Sequence, residues 1–250
     1  MKLLKLIYVK PTKLLLMENE LEFQTHIFLS PKNIKVKILK KNDFNDLYFN
    51  EVSTNIDLNN QNLDTIDFFL EKNIYRVERK INKFIKSANL ILDSDEFFII
   101  NLSIKKENYG EVLKREDLSR LLNEAKYECK KTINSRRIIH MLIDNYYVDN
   151  KSYSSFPENL NCNHVTIDIK FICLSEILIE KIEKILKKYQ ITINHILSSE
   201  YVESFLDNNE KDIFKMSAKI IEGFNENEVS IIPKIPNNKG FFEKFFNFFN

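Results

Sequence analysis

Four histidines and three cysteines are the residues of this sequence that could serve nucleophilic or metal chemistry. A nucleophile needs an adjacent base, and a zinc site needs closely spaced Cys and His ligands. Each histidine instead lies in an apolar, strand-like stretch, and no Cys-x-x-Cys pair occurs; the residues are His26, His140, His164, His195, Cys129, Cys162 and Cys173. We therefore expect buried structural cysteines, no catalytic residue, no metal site and no enzyme activity. Metal ligation by His140 and His164 stays open as the alternative.

Two groups of carboxylates could act as acid–base pairs or cation ligands. Asp93, Asp95 and Glu96 form one group, and Asp207 and Glu210 form the other. Both groups lie between predicted elements, where contact with solvent explains acidic side chains. Neither group therefore predicts catalysis.

Glycine is scarce, which bears on nucleotide chemistry. The chain contains only Gly110, Gly223 and Gly240. Phosphate-binding loops need glycine so that backbone N–H groups can approach the ligand. Three scattered glycines predict no such loop, and no cofactor is expected.

The composition is that of an ordinary globular protein, with 44% hydrophobic and 29% charged residues. The net charge of +1 predicts no nucleic-acid partner. No apolar run approaches the roughly 20 residues that a membrane-spanning helix needs. The first twenty residues begin like a signal peptide, but Lys5 and Lys10 interrupt them, so we interpret them as two strands of a cytoplasmic protein.

The C-terminal stretch KGFFEKFFNFFN, residues 239–250, has a different character. At about 100° per residue its phenylalanines fall within roughly 160° of a helix, with the polar residues opposite. The predicted membrane-binding residues are Phe241, Phe242, Phe245, Phe246, Phe248, Phe249, Lys239 and Lys244. Such an amphipathic helix can lie in a membrane interface.

Two other interpretations of this stretch remain open: it could fold onto the body or a partner, or it could be a disordered end. The preceding linker favours the membrane, because Pro233 and Pro236 break regular structure and a docked helix would need no tether.

Periodicity predicts an α+β protein. Short strands are expected in 2–9, 12–19, 21–29 and 33–40 as an antiparallel meander, followed by an Asn-rich loop through 50–62. A long helix is expected over 63–91, because apolar residues recur every three or four positions. From residue 97 the expected order is strand, helix, strand, strand, helix, strand, and a further helix follows over 212–224. The stretch 136–149 is interpreted as two strands or one bent strand, and Ser175 as the cap of the helix after it.

The block from Leu113 to Phe205 resembles the bacterial cell-division protein FtsA. The stretch LKREDLSRLLNEAK resembles its acidic-start helix, and RRIIHMLIDNYYVD resembles a strand passage in which His140, Tyr147 and Asp149 fit the family's pattern. The stretch from His164 to Phe205 resembles the strand, helix and strand that close the FtsA subdomain 1C. The loose linker and terminal aromatic helix also resemble that family.

The sequence departs from FtsA in the parts that would bind ATP. FtsA has an early Asp-x-Gly-Thr phosphate loop, where this sequence has IYVKPTK, and a second glycine-rich loop, where it has SSEYVESF. Most of the second half of an actin-like core has no counterpart, so binding of FtsZ by the usual surface is doubtful.

The resemblance implies five segments: a remnant of actin-like subdomain 1A (1–109), a 1C-like unit (110–198), a closing helix and strand (199–232), a linker (233–238) and the membrane helix (239–250). It implies a non-enzymatic, peripheral adaptor on the cytoplasmic side of the membrane. Its expected partners are inner-membrane lipid and division proteins, and it is expected to self-associate. The alternatives are a degenerate ATPase completed by a partner chain and an FtsA-like adaptor of pilus assembly.

Overall fold

The computed structural model describes residues 22–56, 58 and 63–229. The two strands predicted within the first twenty residues and the whole C-terminal helix lie outside this range. The described elements are β1 (Phe23–Leu29), β2 (Asn33–Lys40), β3 (Asp46–Ser53), α1 (Asp64–Ile81), β4 (Ser87–Leu92), β5 (Phe98–Glu107), α2 (Arg115–Thr132), β6 (Arg136–Val148), β7 (Lys151–Tyr153), β8 (His164–Ser175), α3 (Glu176–Lys188), β9 (Thr192–Ser198), α4 (Ser199–Glu203) and α5 (Ile213–Ile221).

These elements form two sheets, so the predicted α+β class is confirmed. The first sheet has the order β3-β2-β1-β4-β9, and the second has the order β5-β8-β6-β7. In the first sheet β1, β2 and β3 are antiparallel neighbours, whereas β4 runs parallel to both β1 and β9. The second sheet is antiparallel.

Four helices cover the sheets with apolar faces. α1 and α3 pack on one face of the first sheet, where Leu70 and Ile179 are fully buried. α5 packs on its other face through Phe214. α2 covers the second sheet through Leu121 and Ala125.

The predicted helix over 63–91 was too long. α1 ends at Ile81 because Asn82 adopts a left-handed conformation, with φ of 55°, and its N–H donates to Glu78 O. The stretch 87–92 is instead β4, a central strand that is buried on both faces. Such a strand shows no alternation, so periodicity does not distinguish it from a buried helix.

The prediction that a loop begins at residue 50 was also partly wrong, because β3 extends to Ser53. β3 is an edge strand with most side chains exposed, so it lacks the apolar alternation that would have predicted it. β6 is a single strand with irregularities after Ile138 and Ile143, which confirms the bent-strand interpretation. Ser175 precedes α3, but its side chain makes no capping hydrogen bond.

The elements from residue 97 to 198 follow the predicted order but do not form one unit. β5, α2, β6 and β8 belong to the second sheet, whereas β9 pairs with β4 in the first. The amphipathic α3 carries the chain back to the first sheet, because its apolar face completes the core there. The sheets thus divide the chain differently from the boundaries at 110 and 198.

Candidate functional site

The eight residues predicted to bind membrane, from Lys239 to Phe249, lie outside the described residues. Their role stays a prediction. The four histidines lie in strands as expected, and all three cysteines are free and buried. In the described part of the chain, no three His, Cys, Asp or Glu side chains converge in a way that could hold a metal ion.

The turn between β1 and β2 lies where an α/β sheet usually binds ligands, at the carboxyl ends of its parallel strands. The hydroxyl oxygen of Ser30 accepts the backbone N–H groups of Lys32 at 3.3 Å and of Asn33 at 3.0 Å. The Ser30 N–H donates to Asn33 O at 3.0 Å. The turn therefore uses these N–H groups internally. Of the two stretches at the positions of the FtsA phosphate loops, 7–13 lies outside the described residues, and 198–205 forms the end of β9 and the helix α4.

The carboxylate group after β4 lies at the same edge of the sheet. Ser94 Oγ accepts the Glu96 N–H at 3.1 Å, and Arg136 donates to Glu96 O at 2.8 Å. The second group has a comparable structural role, because Asp207 Oδ1 accepts the Glu210 N–H at 2.8 Å. These contacts shape loops and tie the two sheets together.

A groove lies between the two sheets. One wall is β9, the last strand of the first sheet. The other wall is the first part of β6, whose side away from β8 is paired, among the described residues, only by β7 and by residues 227–229. The groove thus lies between two strand edges whose backbone groups have no strand partner among residues 22–56, 58 and 63–229.

The groove has an apolar floor and two connected parts. The larger part, ≈ 740 Å³, is lined by isoleucines of both walls, including Ile138, Ile139, Ile193 and Ile196. The smaller part, ≈ 280 Å³, shares Ile139, His195 and Ile196 with it and ends at Val229. Together they form a continuous depression along β9.

The walls of the larger part carry an excess of cations. Lys126, Lys130, Arg136 and Arg137 face Glu176 and Glu183 there. Both glutamates are bound by Arg137, Glu176 at 2.6 Å and Glu183 at 3.0 Å. Burial, with a further effect of Lys130, lowers the pKa of Lys126. With four cations and two glutamates in its lining, the larger part of the groove keeps a net positive charge that can attract an acidic group.

A buried polar cluster closes the groove where β6 and β9 meet. His140 Nε2 accepts the Ser198 N–H at 3.2 Å, so its Nδ1 carries the proton and donates to Glu228 Oε1 at 2.7 Å. Tyr201 donates to the other carboxylate oxygen at 2.7 Å, and Asn225 donates to the Tyr201 hydroxyl at 2.9 Å. The cluster connects both sheets to the segment 225–229.

The protonation of this cluster follows from its contacts. Burial alone would raise the pKa of Glu228, but hydrogen bonds from His140 and Tyr201 outweigh burial and lower it. Burial also lowers the pKa of the neighbouring His195, against the opposing effect of Glu228. Glu228 is thus held as a carboxylate. Because His140 and Tyr201 saturate it, the cluster is suited to holding structure.

Sequence reasoning missed the groove. The sequence of β9 did carry a weak indication of an edge strand. The polar Asn194 and His195 interrupt its apolar residues, which is typical of a strand at the edge of a sheet. Which strand would lie opposite that edge could not be read from the sequence.

No protein-family model and no curated protein matches this sequence at a significant level. Several solved structures are similar to it. The PilM–PilN type IV pilus biogenesis complex is similar with a TM-score of 0.46 and 8% identity, over 73% of this chain and 49% of that chain. The cytoplasmic domain of EpsL, an inner membrane component of the type II secretion system of Vibrio cholerae, gives 0.35 and 11%, over 72% and 57%.

A third similar structure is a Bacteroides thetaiotaomicron protein described as having an actin-like ATPase fold and unknown function. Its TM-score is 0.30 and its identity 15%, over 75% of this chain and 56% of that chain. The chain thus spans about half the length of these structures. At such identities the similarity concerns the fold alone. None of the helices among the described residues is long and apolar enough to cross a bilayer.

Proposed function

We propose that this chain is a non-enzymatic adaptor that binds an extended segment of a partner protein in the groove between β6 and β9. The observation that carries the proposal is the pair of strand edges that no other described strand covers, lying across an apolar floor. An extended peptide can add to such an edge through main-chain hydrogen bonds, and its alternate side chains enter the pockets below.

The lining of the groove indicates the chemistry of the partner segment. Ile138 and Ile193 favour apolar side chains at alternate positions of the bound strand. Lys126 and Lys130 favour an acidic residue at the end near α2, since four cations and only two glutamates line this part of the groove. The partner segment is therefore apolar and carries at least one acid.

The second part of the proposal is attachment to the membrane through residues 239–250. Burial of several phenylalanine rings at the interface drives this binding, but one short helix binds only reversibly. The adaptor would thus hold its partner at the inner face of the cytoplasmic membrane.

Two cellular settings fit such an adaptor. The FtsA resemblance favours cell division, with FtsZ a doubtful partner. Pilus assembly is the alternative, and the similar structures come from complexes of pilus biogenesis and type II secretion. The identity of the bound partner decides between them.

A degenerate ATPase completed by a partner chain is the competing function. Two observations argue against it. The backbone N–H groups of the turn at Ser30 are already bonded within that turn, and glycine is scarce in the sequence. A calorimetric signal with Mg-ATP at micromolar affinity, for the chain alone or with its identified partner, would establish the ATPase instead.

Site-specific photocrosslinking in cells tests the groove. A photoreactive phenylalanine is placed at Ile193 or Asn194, in the groove, and at Asn101, an exposed position on the second sheet, as the control. We expect both groove positions, and not the control, to yield an adduct with the same membrane-associated protein, identified by mass spectrometry. Equal adducts at all three positions, or none in the groove, would contradict the proposal. A division protein or a pilus protein in the adduct settles the cellular setting.

A further inference from the structure

We propose that the outward face of α1 is a second membrane contact, specific for anionic lipid headgroups. This inference rests on the proposed attachment to the membrane and adds a surface of the folded body to it. The face consists of Phe68, Lys72, Tyr75 and Arg79, with Arg76, Lys80, Phe84 and Lys86 beside it.

The charge of this region is segregated, although the whole chain is close to neutral. Between residues 72 and 86 five exposed side chains are cationic; they are Lys72, Arg76, Arg79, Lys80 and Lys86. The single acid in this range, Glu78, is half-buried, and its Oε1 accepts the Ile85 N–H at 2.9 Å. The acids of α1 are concentrated towards its start, as at Asp64 and Asp67. The exposed Glu71 borders the face, so the exposed end of α1 carries a net excess of positive charge.

Large aromatic side chains are exposed within the same face. Tyr75 is 70% exposed, Phe84 78% and Phe68 55%. Lys72 Nζ lies 3.8 Å from the centre of the Phe68 ring, so the cation and the ring are in direct contact. At about 100° per residue, Phe68, Lys72, Tyr75 and Arg79 form one stripe on the side opposite the buried residues. Aromatic rings among cations are the composition that favours the headgroup layer of an anionic membrane.

The position of the face agrees with a lipid surface. Phe84 lines a surface hollow together with Ile221, and Ile221 lines the next hollow together with Val229. The described chain ends at Val229, so the residues leading to the predicted membrane helix start at the same edge of the molecule. A body tethered there can lay this edge on the bilayer.

Vesicle co-sedimentation of the full chain tests the inference. One variant combines Lys72→Glu with Arg79→Glu, a second combines Tyr75→Ala with Phe84→Ala, and the control combines Lys105→Glu with Lys151→Glu, at exposed sites on the second sheet. Vesicles of phosphatidylcholine with and without phosphatidylserine are compared at low and high salt.

We expect the unaltered chain and the control to prefer phosphatidylserine vesicles at low salt, and the Lys72/Arg79 variant to lose about tenfold in affinity for them. The Tyr75/Phe84 variant should weaken binding to both kinds of vesicle. Equal affinity of the control and both α1 variants would overturn the inference. Loss of the groove adduct in an α1 variant, with lipid preference intact, would also overturn it and mark the face as a protein interface.

The outcomes separate this inference from the proposed adaptor function. A failure of the groove adduct in the unaltered chain contradicts the adaptor alone. An unchanged lipid preference in the α1 variants contradicts the second contact alone. Because all the altered side chains are exposed, circular dichroism should show the same fold in every variant.

Discussion

His26 shows how a single side chain can make the stability of this protein depend on pH. The residue is fully buried in β1, with its ring nitrogens 3.0 Å from Ser217 Oγ and 3.3 Å from Gln24 Oε1. Burial lowers the pKa of His26 to about 4, with Asp212 raising it and Lys37 lowering it further. The ring is therefore neutral in the folded protein over most of the acid range.

The stability contributed by His26 is complete above the unfolded pKa of 6.5 and is lost as the pH falls towards 4, because in that window the unfolded chain binds the proton more tightly. We expect this one group to lower the free energy of unfolding by about 2 kcal/mol between pH 7 and pH 5. Urea unfolding of the unaltered chain and of His26→Gln at both pH values measures the difference.

An NMR titration of the His26 ring provides a check that needs no variant. The ring should stay neutral down to about pH 4, which is the folded value. A midpoint near 6.5 would show that the ring reaches solvent, and the pH dependence would then need another source.

At the scale of elements, a cluster of charged side chains attaches α5 to the first sheet. Asp212 caps the helix, since its Oδ1 accepts the Phe214 N–H at 2.9 Å, and it also pairs with the buried Lys37. Asp46 holds the same ammonium group at 2.9 Å, and the rings of Phe49 and Phe214 lie 5.7 Å from it. Burial alone would lower the pKa of Lys37, but its bonds to Asp212 and Asp46 raise it.

Replacing Asp212 with Asn keeps the cap but removes the charge opposite Lys37. We expect Asp212→Asn to lower the free energy of unfolding by about 2–3 kcal/mol, since it leaves a buried ammonium with one partner. Denaturant unfolding measures this. The matched control is Asp43→Asn, at an exposed carboxylate 3.4 Å from Lys40, which should leave stability unchanged. Equal effects of the two substitutions would show that Lys37 is not held by charge.

The groove exists because strands of two different sheets lie side by side; no single residue creates it. α3 brings the chain back to the first sheet, so the edge of β9 comes to lie beside β6 of the second. The cluster of His140, Glu228 and Tyr201 then fixes the distance between the two strands. A binding surface formed in this way depends on both sheets.

At the scale of the whole molecule, membrane residence depends on more than one weak contact. A single short helix is marginal in water and binds reversibly, like one lipid chain. Several linked contacts multiply affinity by about 10²–10⁴. The second contact on α1 and self-association through open sheet edges would both supply them.

Deleting residues 239–250 should abolish co-sedimentation with neutral phosphatidylcholine vesicles, because this stretch carries six of the phenylalanine rings that drive the binding, and Tyr75 and Phe84 of the second contact are too few to sustain it alone. The same shortened chain should still form dimers or short oligomers in analytical ultracentrifugation at micromolar concentrations, because the edges of β6 and β9 remain. Unchanged pelleting would contradict the role of the deleted residues. A strictly monomeric shortened chain would contradict self-association through the body.

The sequence by itself determined which stretches form α2, α3, β1, β2 and β8, because their amphipathic patterns match the spacing of a helix or a strand. It also determined that the cysteines are buried and that the histidines lie in strands. It did not predict β4 or β3. β4 is buried on both faces and most of β3 is exposed, so neither strand shows the alternation of apolar and polar residues. Only the tertiary structure decided that β9 joins the first sheet, that its edge meets β6, and that residues 227–229 pair with β6. These are relations between segments far apart in the chain, and local periodicity carries no information about them.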